Sequence, residues 1–273
     1  MARKSKKGER DAKAKAGTGA TVVPIGMGGL FKCKRCGACC RMFDLPKEQI
    51  SRDENGVFYA IKPGSNAFEI WPWEAERLRA AAEEKEALIT IKPCMFIVDK
   101  KELGRAVMLT YYIRQKECPF LTKERSCMVH DRRPRTCRMF PIFGHRTGIG
   151  ISQICPFLVP VELTADEASN GLLIQASYRD EVEHVFKDME VFKSIFGLVR
   201  DMDANGVIQW DKEASGPEAA RLLKERGTDL LDLIRYEGVL SEDELRKALE
   251  RLESMEGIRE NLELRIRRGN LMM

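Results

Sequence analysis

Four cysteines lie within eight residues near the start of the chain: Cys33, Cys36, Cys39 and Cys40, in the order CxxCxxCC. Two residues between a pair of cysteines let the chain fold back so that both thiolates reach one metal ion. A third cysteine at the same interval is the spacing with which bacterial ferredoxins hold three corners of an iron–sulfur cluster. The run therefore predicts a zinc or iron–sulfur site whose remaining ligand comes from elsewhere in the chain.

Four further cysteines are spread over the middle of the chain, at Cys118, Cys127, Cys137 and Cys155. Thiolates suit zinc and iron–sulfur clusters alike, so the residue types leave the metal open. The number of centres is open too: one cluster plus one zinc ion, two zinc ions, or a binuclear centre. Because adjacent side chains tend to point in different directions, we expect Cys39 and Cys40 to diverge. One of them then serves a second metal or stays a reactive thiol.

The other candidate donors fit the pattern less well. Cys94 lies in a β-prone run without a partner at ligand spacing, so we expect a buried core thiol. His130 follows Cys127 by three residues and could complete a mixed site, but eight thiols already suffice. His145 and His184 have no neighbouring donors in sequence, and we predict no metal role for them.

Cationic and apolar side chains accompany the later cysteines. Residues 123–138 contain two acidic residues and six basic ones: Lys123, Arg125, Arg132, Arg133, Arg135 and Arg138. Because a four-thiolate site is negatively charged, we expect these cations to lower the thiol pKa values and to offset that charge. The sequence CPFL, which begins at both Cys118 and Cys155, is expected to screen the sulfur atoms from water.

The order of these motifs is similar to a known family. CxxCxxCC, then CPFL, then Arg133-Pro134-x2-Cys137-Arg138 and a last Cys155-Pro156 resemble the YkgJ-type CxxCxxCC cysteine-cluster family, described as a zinc- or iron-chelating domain. The resemblance implies that all eight of these cysteines are metal ligands. The flagellin lysine methylases are similar at the cysteine level, which offers an enzymatic alternative, although no nucleotide-binding fingerprint accompanies it.

Composition and charge define three regions along the 273 residues. Residues 1–29 form a basic tail, for which we predict disorder in preference to weak nucleic-acid contact. Residues 30–160 hold all nine cysteines, and residues 161–273 are predicted to be rich in helices. No apolar run is long enough to span a membrane, and no secretory signal is visible. Together with the cysteine spacing, this predicts a cytoplasmic protein.

Several elements are expected around the cysteines. A helix is predicted to begin at Pro72. The β-prone runs 94–99 and 106–113 are predicted to pair as a hairpin through a turn at Gly104. Capping-box patterns at Thr164 and Ser241 predict helix starts in the last region. The predicted fold class is α+β: a small, metal-organised cysteine-cluster domain with a β-hairpin, plus a helical C-terminal extension.

A second metal site is considered at Asp201, Asp203 and Asn205, which match the first positions of a calcium-binding loop. Lys212 occupies the position where a bidentate glutamate is needed, and its positive charge opposes calcium. We therefore prefer a tight Asn205-Gly206 turn, as in a hairpin, to a calcium site.

The sequence thus predicts a protein that binds zinc or an iron–sulfur cluster through eight cysteines, for electron transfer or for structural stabilisation. Two alternatives remain. One is an enzyme, either similar to the lysine methylases or a redox enzyme that uses Cys40 or Cys94. The other is a zinc-dependent protein associated with nucleic acid. The charged C-terminal helices are expected to serve packing or an unknown protein partner.

Overall fold

The computed structural model describes residues 31–41, 46–62, 67–145, 148–152, 154–158 and 178–258. Within these residues it contains three β-sheets and six α-helices, which confirms the mixed α+β class and the helical C-terminal region. None of the helices in these ranges combines the length and the apolar character needed to cross a membrane.

The strands are, in chain order, β1 (Glu48–Arg52), β2 (Phe58–Ile61), β3 (Glu69–Ile70), β4 (Ile91–Pro93), β5 (Met95–Asp99), β6 (Arg105–Met108), β7 (Tyr111–Ile113), β8 (Ile142–His145), β9 (Gly148–Ile151) and β10 (Gly227–Asp229). The helices are α1 (Pro72–Glu84), α2 (Arg135–Met139), α3 (Arg179–Ala204), α4 (Gly216–Arg226), α5 (Leu230–Tyr236) and α6 (Glu242–Glu253). The sheets have the orders β1-β2-β5-β6-β10, β3-β7-β4 and β8-β9.

The predicted hairpin is present, but its second strand is split between two sheets. β5 pairs antiparallel with β6, and Gly104 supplies the turn with a φ of +76°. The backbone N–H groups of Leu109 and Thr110 then both donate to the Met95 carbonyl, at 2.8 and 3.2 Å. Because two N–H groups share one acceptor, the regular hydrogen bonding between β5 and β6 ends here. The chain then continues into the second sheet as β7. The predicted run 106–113 therefore forms two strands instead of one.

Helix α1 begins at Pro72, as predicted, and its first turn is tied to the rest of the cysteine region. The Glu74 carboxylate accepts the Trp71 backbone N–H at 3.1 Å, which satisfies one amide at the start of the helix. The same buried carboxylate accepts the Arg135 backbone N–H at 2.7 Å. Glu74 therefore joins the start of α1 to the start of α2, the short helix that carries Cys137.

The C-terminal region completes the main sheet and is more than an appended helical unit. β10 pairs parallel with β6, with Thr228 opposite Val107. In the largest core cluster, Ile97 and Val107 of the hairpin pack with Val199 of α3 and Leu231 of α5. Apolar side chains from both regions are buried together, so the two regions stabilise each other.

The last described helix is anchored at both ends. The capping box predicted at Ser241 is confirmed, because its hydroxyl accepts the Glu244 N–H while the Glu244 carboxylate accepts the Ser241 N–H. At the other end, the Arg135 guanidinium donates to the Leu252 carbonyl at 3.0 Å, and the Lys187 ammonium donates to the Arg251 carbonyl at 3.0 Å. Cations at this end of α6 also suit the helix dipole. The capping box predicted at Thr164 and the tail 1–29 lie outside the described residues.

The predicted Asn205-Gly206 turn exists, but the hairpin interpretation of it was wrong. The residues before the turn belong to helix α3, so Asp201 and Asp203 lie on its last turn. Asn205 follows the helix as its C-terminal cap, and Gly206 has a φ of +69°. A glycine in the left-handed region at the end of a helix is a common way to stop it, so the dipeptide acts as a helix terminator.

The strand crossing yields a testable prediction at Thr110. Its fully buried hydroxyl accepts the Met95 N–H at 3.1 Å and donates to the Glu69 carboxylate. Replacing Thr110 with Val keeps the shape and leaves the Met95 N–H without its acceptor. We expect T110V to lower the free energy of unfolding by about 1–3 kcal/mol. Chemical denaturation measures this, and T90V at an exposed threonine is the control. Equal stability of the two variants would contradict the role of Thr110.

Candidate metal centre

One pocket collects all eight predicted cysteine ligands. It has a volume of about 830 Å³, including the solvent at its mouth, and is lined by Cys33, Cys36, Cys39, Cys40, Cys118, Cys127, Cys137 and Cys155. Cys33 is exposed, Cys155 is buried and the other six are half-buried, and all are free thiols. Cys94 lies elsewhere, in a small buried cluster with Ile61 and Tyr112, as expected for a core thiol.

The CxxCxxCC run folds as a tight turn followed by a short 3-10 helix, Cys39–Arg41. Gly37 has a φ of +71°, and its carbonyl accepts the Cys40 N–H at 3.1 Å. The Cys39 and Cys40 sulfur atoms lie 4.0 Å apart, and both side chains line the pocket. The two side chains therefore do not diverge as expected, whereas the expectation that one of them serves a second metal stays a prediction.

The second cysteine loop lies directly against this turn. The Cys118 N–H donates to the Cys40 carbonyl at 2.7 Å, which brings the two segments together. An isolated antiparallel bridge between Leu121 and Cys127 closes the loop, and the Leu121 side chain packs beside Gly37. These backbone contacts and the packing of Leu121 hold Cys118 and Cys127 near Cys40.

The last two cysteines come from separate elements. Cys137 lies on α2, where its N–H donates to the Pro134 carbonyl at 3.0 Å. Cys155 packs in a cluster with Phe31, Ile142 and Tyr178. Four stretches of chain that are far apart in sequence therefore contribute thiols to the same pocket.

The eight thiols fall into two neighbouring groups. Cys155 interacts electrostatically with Cys36, Cys33 and Cys39. Cys40 interacts with Cys118, Cys39 and Cys127, and among the thiols Cys137 interacts first with Cys39 and then with Cys40 and Cys127. The hydrophobic clusters divide in the same way, because Cys155 packs against α3, and Cys118 and Cys127 pack against α1 and β7. We name the sets group A (Cys33, Cys36, Cys39, Cys155) and group B (Cys40, Cys118, Cys127, Cys137). Cys39 also interacts with Cys40, Cys127 and Cys137 of group B, so the two groups meet at Cys39.

Burial and neighbouring thiols raise the pKa values of five thiols in the pocket: Cys39, Cys40, Cys127, Cys137 and Cys155. The hydrogen bond with Cys118 is the largest cause that raises the pKa of Cys40, to about 12. The hydrogen bond with Cys40, followed by burial, raises the pKa of Cys39. Burial also raises the pKa of the Cys137 thiol well above its usual range. Thiols arranged in this way become thiolates only when a cation replaces their protons.

The basic residues near the cysteines divide into two kinds. Arg125 and Arg133 line the pocket, and the Arg133 charge opposes the rise in the pKa of Cys127 that burial causes. The other four do not line the pocket. Lys123 is exposed, Arg132 pairs with Glu84 at 2.7 Å, Arg135 donates to the Leu252 carbonyl at the end of α6, and Arg138 donates to the Arg133 and Asp131 carbonyls. The expectation that all six cations offset thiolate charge therefore holds for only part of the set.

Apolar side chains form much of the pocket wall. Phe120, Leu121 and Phe157 of the two CPFL motifs line it, as expected. The remaining apolar lining comes from residues that the sequence analysis did not identify: Phe31, Leu78, Ile113, Val129 and Phe140. They lie on α1, on β7 and in loops, and no local pattern marks them, because only the packing of these elements turns them toward the sulfur atoms.

His130 is a further polar group in the pocket wall. Its Nδ1 lies 3.4 Å from the Asp131 carboxylate, while its Nε2 is buried and has no hydrogen-bond partner among the described residues. Burial lowers the pKa of His130, and the Arg133 cation adds to this effect. One ring nitrogen therefore lies in the protein interior, where burial disfavours protonation of the ring.

Sulfur donors of this kind are the ligands that a thiophilic metal prefers. Their side chains are not arranged as a formed coordination sphere. In the ranges that the structure describes, no group of three or more His, Cys, Asp or Glu side chains has the arrangement of a formed metal site. The thiols nevertheless share one apolar pocket, and soft ligands in such surroundings favour zinc and iron–sulfur clusters. The cysteines therefore suit zinc or an iron–sulfur cluster, and their side chains would have to move inward when it binds.

Comparison with known proteins identifies the same part of the chain. Residues 32–156 match the family model CxxCxxCC, described as "Putative zinc- or iron-chelating domain". The match covers less than half of the chain and includes all eight cysteines of the pocket. No curated protein and no solved structure matches the chain. The suggested similarity to flagellin lysine methylases therefore has no support from these comparisons.

The turn at Gly37 generates a second prediction. A Cβ atom there would lie 2.7 Å from Leu121 Cδ1, and the φ of +71° disfavours any L side chain. Replacing Gly37 with Ala therefore strains the turn and pushes it away from the second cysteine loop. We expect G37A to lower the free energy of unfolding by about 1–2 kcal/mol from the backbone alone, and to reduce bound metal.

Gly206 supplies the matched control. Its φ is +69°, and a Cβ atom added there would meet no other atom within 4 Å, so G206A carries only the backbone penalty. Denaturation and metal analysis of both variants separate the two effects. If G206A lost as much metal as G37A, the contact between Gly37 and Leu121 would have no special role at the site.

Proposed function

We propose that this protein binds zinc or iron through the eight cysteines of groups A and B. The observation that carries the proposal is their convergence: eight of the nine cysteines, from four separate stretches of chain, line a single pocket. The ninth, Cys94, is buried in a different cluster. A role as ordinary core thiols would not require eight of them to meet. The description of the matched domain as zinc- or iron-chelating supports the same function.

Two adjacent centres, each with its thiolates from one group, are the arrangement that the grouping favours. Group A contains the CxxCxxC spacing and one remote cysteine, which is the pattern of a site completed from elsewhere in the chain. Group B contains Cys40 and the three cysteines of residues 118–137. The adjacency of Cys39 and Cys40 then has a simple purpose, because it places one ligand in each centre and holds the two centres side by side.

The bound metal would stabilise the fold. A thiolate-bound ion supplies strong bonds between chain segments that have few regular elements of their own. Cys39 and Cys40 lie on a 3-10 turn, Cys137 lies on a five-residue helix, and Cys118 and Cys155 lie outside helices and strands. Group B would join the first turn to the loop after β7 and to α2. Arg133 and Arg125 would reduce the repulsion among the thiolates from the pocket wall.

Anaerobic purification followed by metal analysis and an absorption spectrum tests this function. We expect stoichiometric zinc without colour, or iron with sulfide and the visible absorption of an iron–sulfur cluster. Iron with sulfide would favour electron transfer as the role of the site, and zinc would favour stabilisation. A protein that contains neither metal after purification, and takes up neither on reconstitution, would refute the proposal.

A pair of cysteine variants tests the ligand assignment. We expect C36S to lose metal and to lower the thermal midpoint, because group A then lacks one of its four thiolates. C94S serves as the control: its thiol is buried beside Thr110 and Glu69, away from the pocket, so its metal content should equal that of the unaltered protein. Equal loss of metal in the two variants would contradict the assignment.

A further inference from the structure

His130 is placed as a metal ligand would be. Its Nε2 is buried, has no hydrogen-bond partner among the described residues and belongs to a ring in the wall of the cysteine pocket. A buried polar atom without a partner costs free energy, and such atoms are rare in folded proteins. Because the surrounding wall consists of thiols, cations and apolar side chains, a metal bound by those thiols is the partner that the pocket provides.

The backbone around His130 supports this role. Cys127 and His130 are separated by two residues, the interval at which one turn directs two donors to one ion. His130 begins a short 3-10 helix, and the Arg133 guanidinium donates to its carbonyl at 2.9 Å. The Arg138 guanidinium donates to the next carbonyl, that of Asp131, at 3.2 Å. The turn is therefore held in place by two guanidinium groups, of which Arg133 also lines the pocket and Arg138 does not.

The other ring nitrogen also has a suitable neighbour. The Asp131 carboxylate lies 3.4 Å from His130 Nδ1. When Nδ1 donates its proton to this carboxylate, Nε2 carries the lone pair that a metal needs. Histidine ligands commonly make such a contact between their second nitrogen and a carboxylate, which fixes the tautomer and the orientation of the ring.

We propose that His130 Nε2 is a ligand of the group B metal, so that this centre has nitrogen as well as sulfur donors. The inference rests on the proposed metal-binding function. A four-coordinate ion bound by three thiolates and His130 leaves one group B thiol without a metal bond. The two centres then differ in chemistry, with four thiolates in group A and a mixed set in group B.

X-ray absorption at the metal edge tests this inference on untagged protein. Averaged over two centres, we expect about one nitrogen for every two metal ions, at about 2.0–2.1 Å, beside the sulfur shell at about 2.3 Å, with the outer-shell scattering of an imidazole. In H130Q we expect the imidazole scattering to disappear and the sulfur shell to remain. The group B centre should lose affinity by roughly 10–100-fold or more, measured by competition with a chelator.

His184 provides the matched control. Like His130 it has a buried ring nitrogen without a hydrogen-bond partner in the described part of the chain, but it lies on α3 and does not line the pocket. H184Q should therefore keep both the imidazole signal and the metal affinity. Circular dichroism of each variant shows whether it is folded before its spectrum is interpreted.

The outcomes separate this inference from the function on which it rests. If the unaltered protein binds metal with a shell of sulfur alone, His130 is not a ligand, while the metal-binding function stands. If H130Q keeps the imidazole signal, the nitrogen comes from another residue and the assignment is refuted. If the unaltered protein binds no zinc or iron under anaerobic conditions, both the function and the inference fail.

Discussion

The cysteine region is organised by the need to hold eight thiols against one another in a largely apolar pocket. Burial and mutual hydrogen bonds keep thiols such as Cys39 and Cys40 neutral, and neutral thiols attract one another only weakly. The protein scaffold must therefore bring them together before a cation does. It uses backbone contacts for this, above all the hydrogen bond from Cys118 to Cys40 and the close packing of Gly37 on Leu121.

The pocket is also connected to the C-terminal region through helix α2. This short helix presents Cys137 to the pocket, while Arg135 donates its backbone N–H to Glu74 and its guanidinium to the end of α6. Arg135 thus contacts both the buried Glu74 carboxylate and the Leu252 carbonyl of α6. A change in the position of α2 would be transmitted to both the start of α1 and the end of α6, because these contacts are 2.7 and 3.0 Å long. If the pocket binds metal as proposed, we expect its occupancy to be coupled to the packing of the C-terminal helices through Arg135.

Local patterns predicted much of the secondary structure around the site. Pro72 marked the start of α1, Gly104 marked the hairpin turn, and Ser241 marked the start of α6, because each of these signals acts within a few residues. Two features were missed. The run 106–113 splits at Thr110, where a side chain replaces a ladder partner, and β10 adds to β6 from more than a hundred residues away. Neither depends on a neighbouring sequence signal, so neither could be predicted from periodicity.

The sequence by itself identified the candidate donors: four thiols at metal-binding spacing and four more that the family resemblance implied, with Cys94 set apart by the absence of a partner at ligand spacing. The tertiary structure alone decided which thiols are neighbours, that Cys39 and Cys40 face the same pocket, and that only some of the arginines reach it. It also decided that His130 places there a ring nitrogen with no hydrogen-bond partner in the described part of the chain. The physical reason is that ligand type is a property of single residues, whereas grouping and burial depend on contacts between segments far apart in the chain.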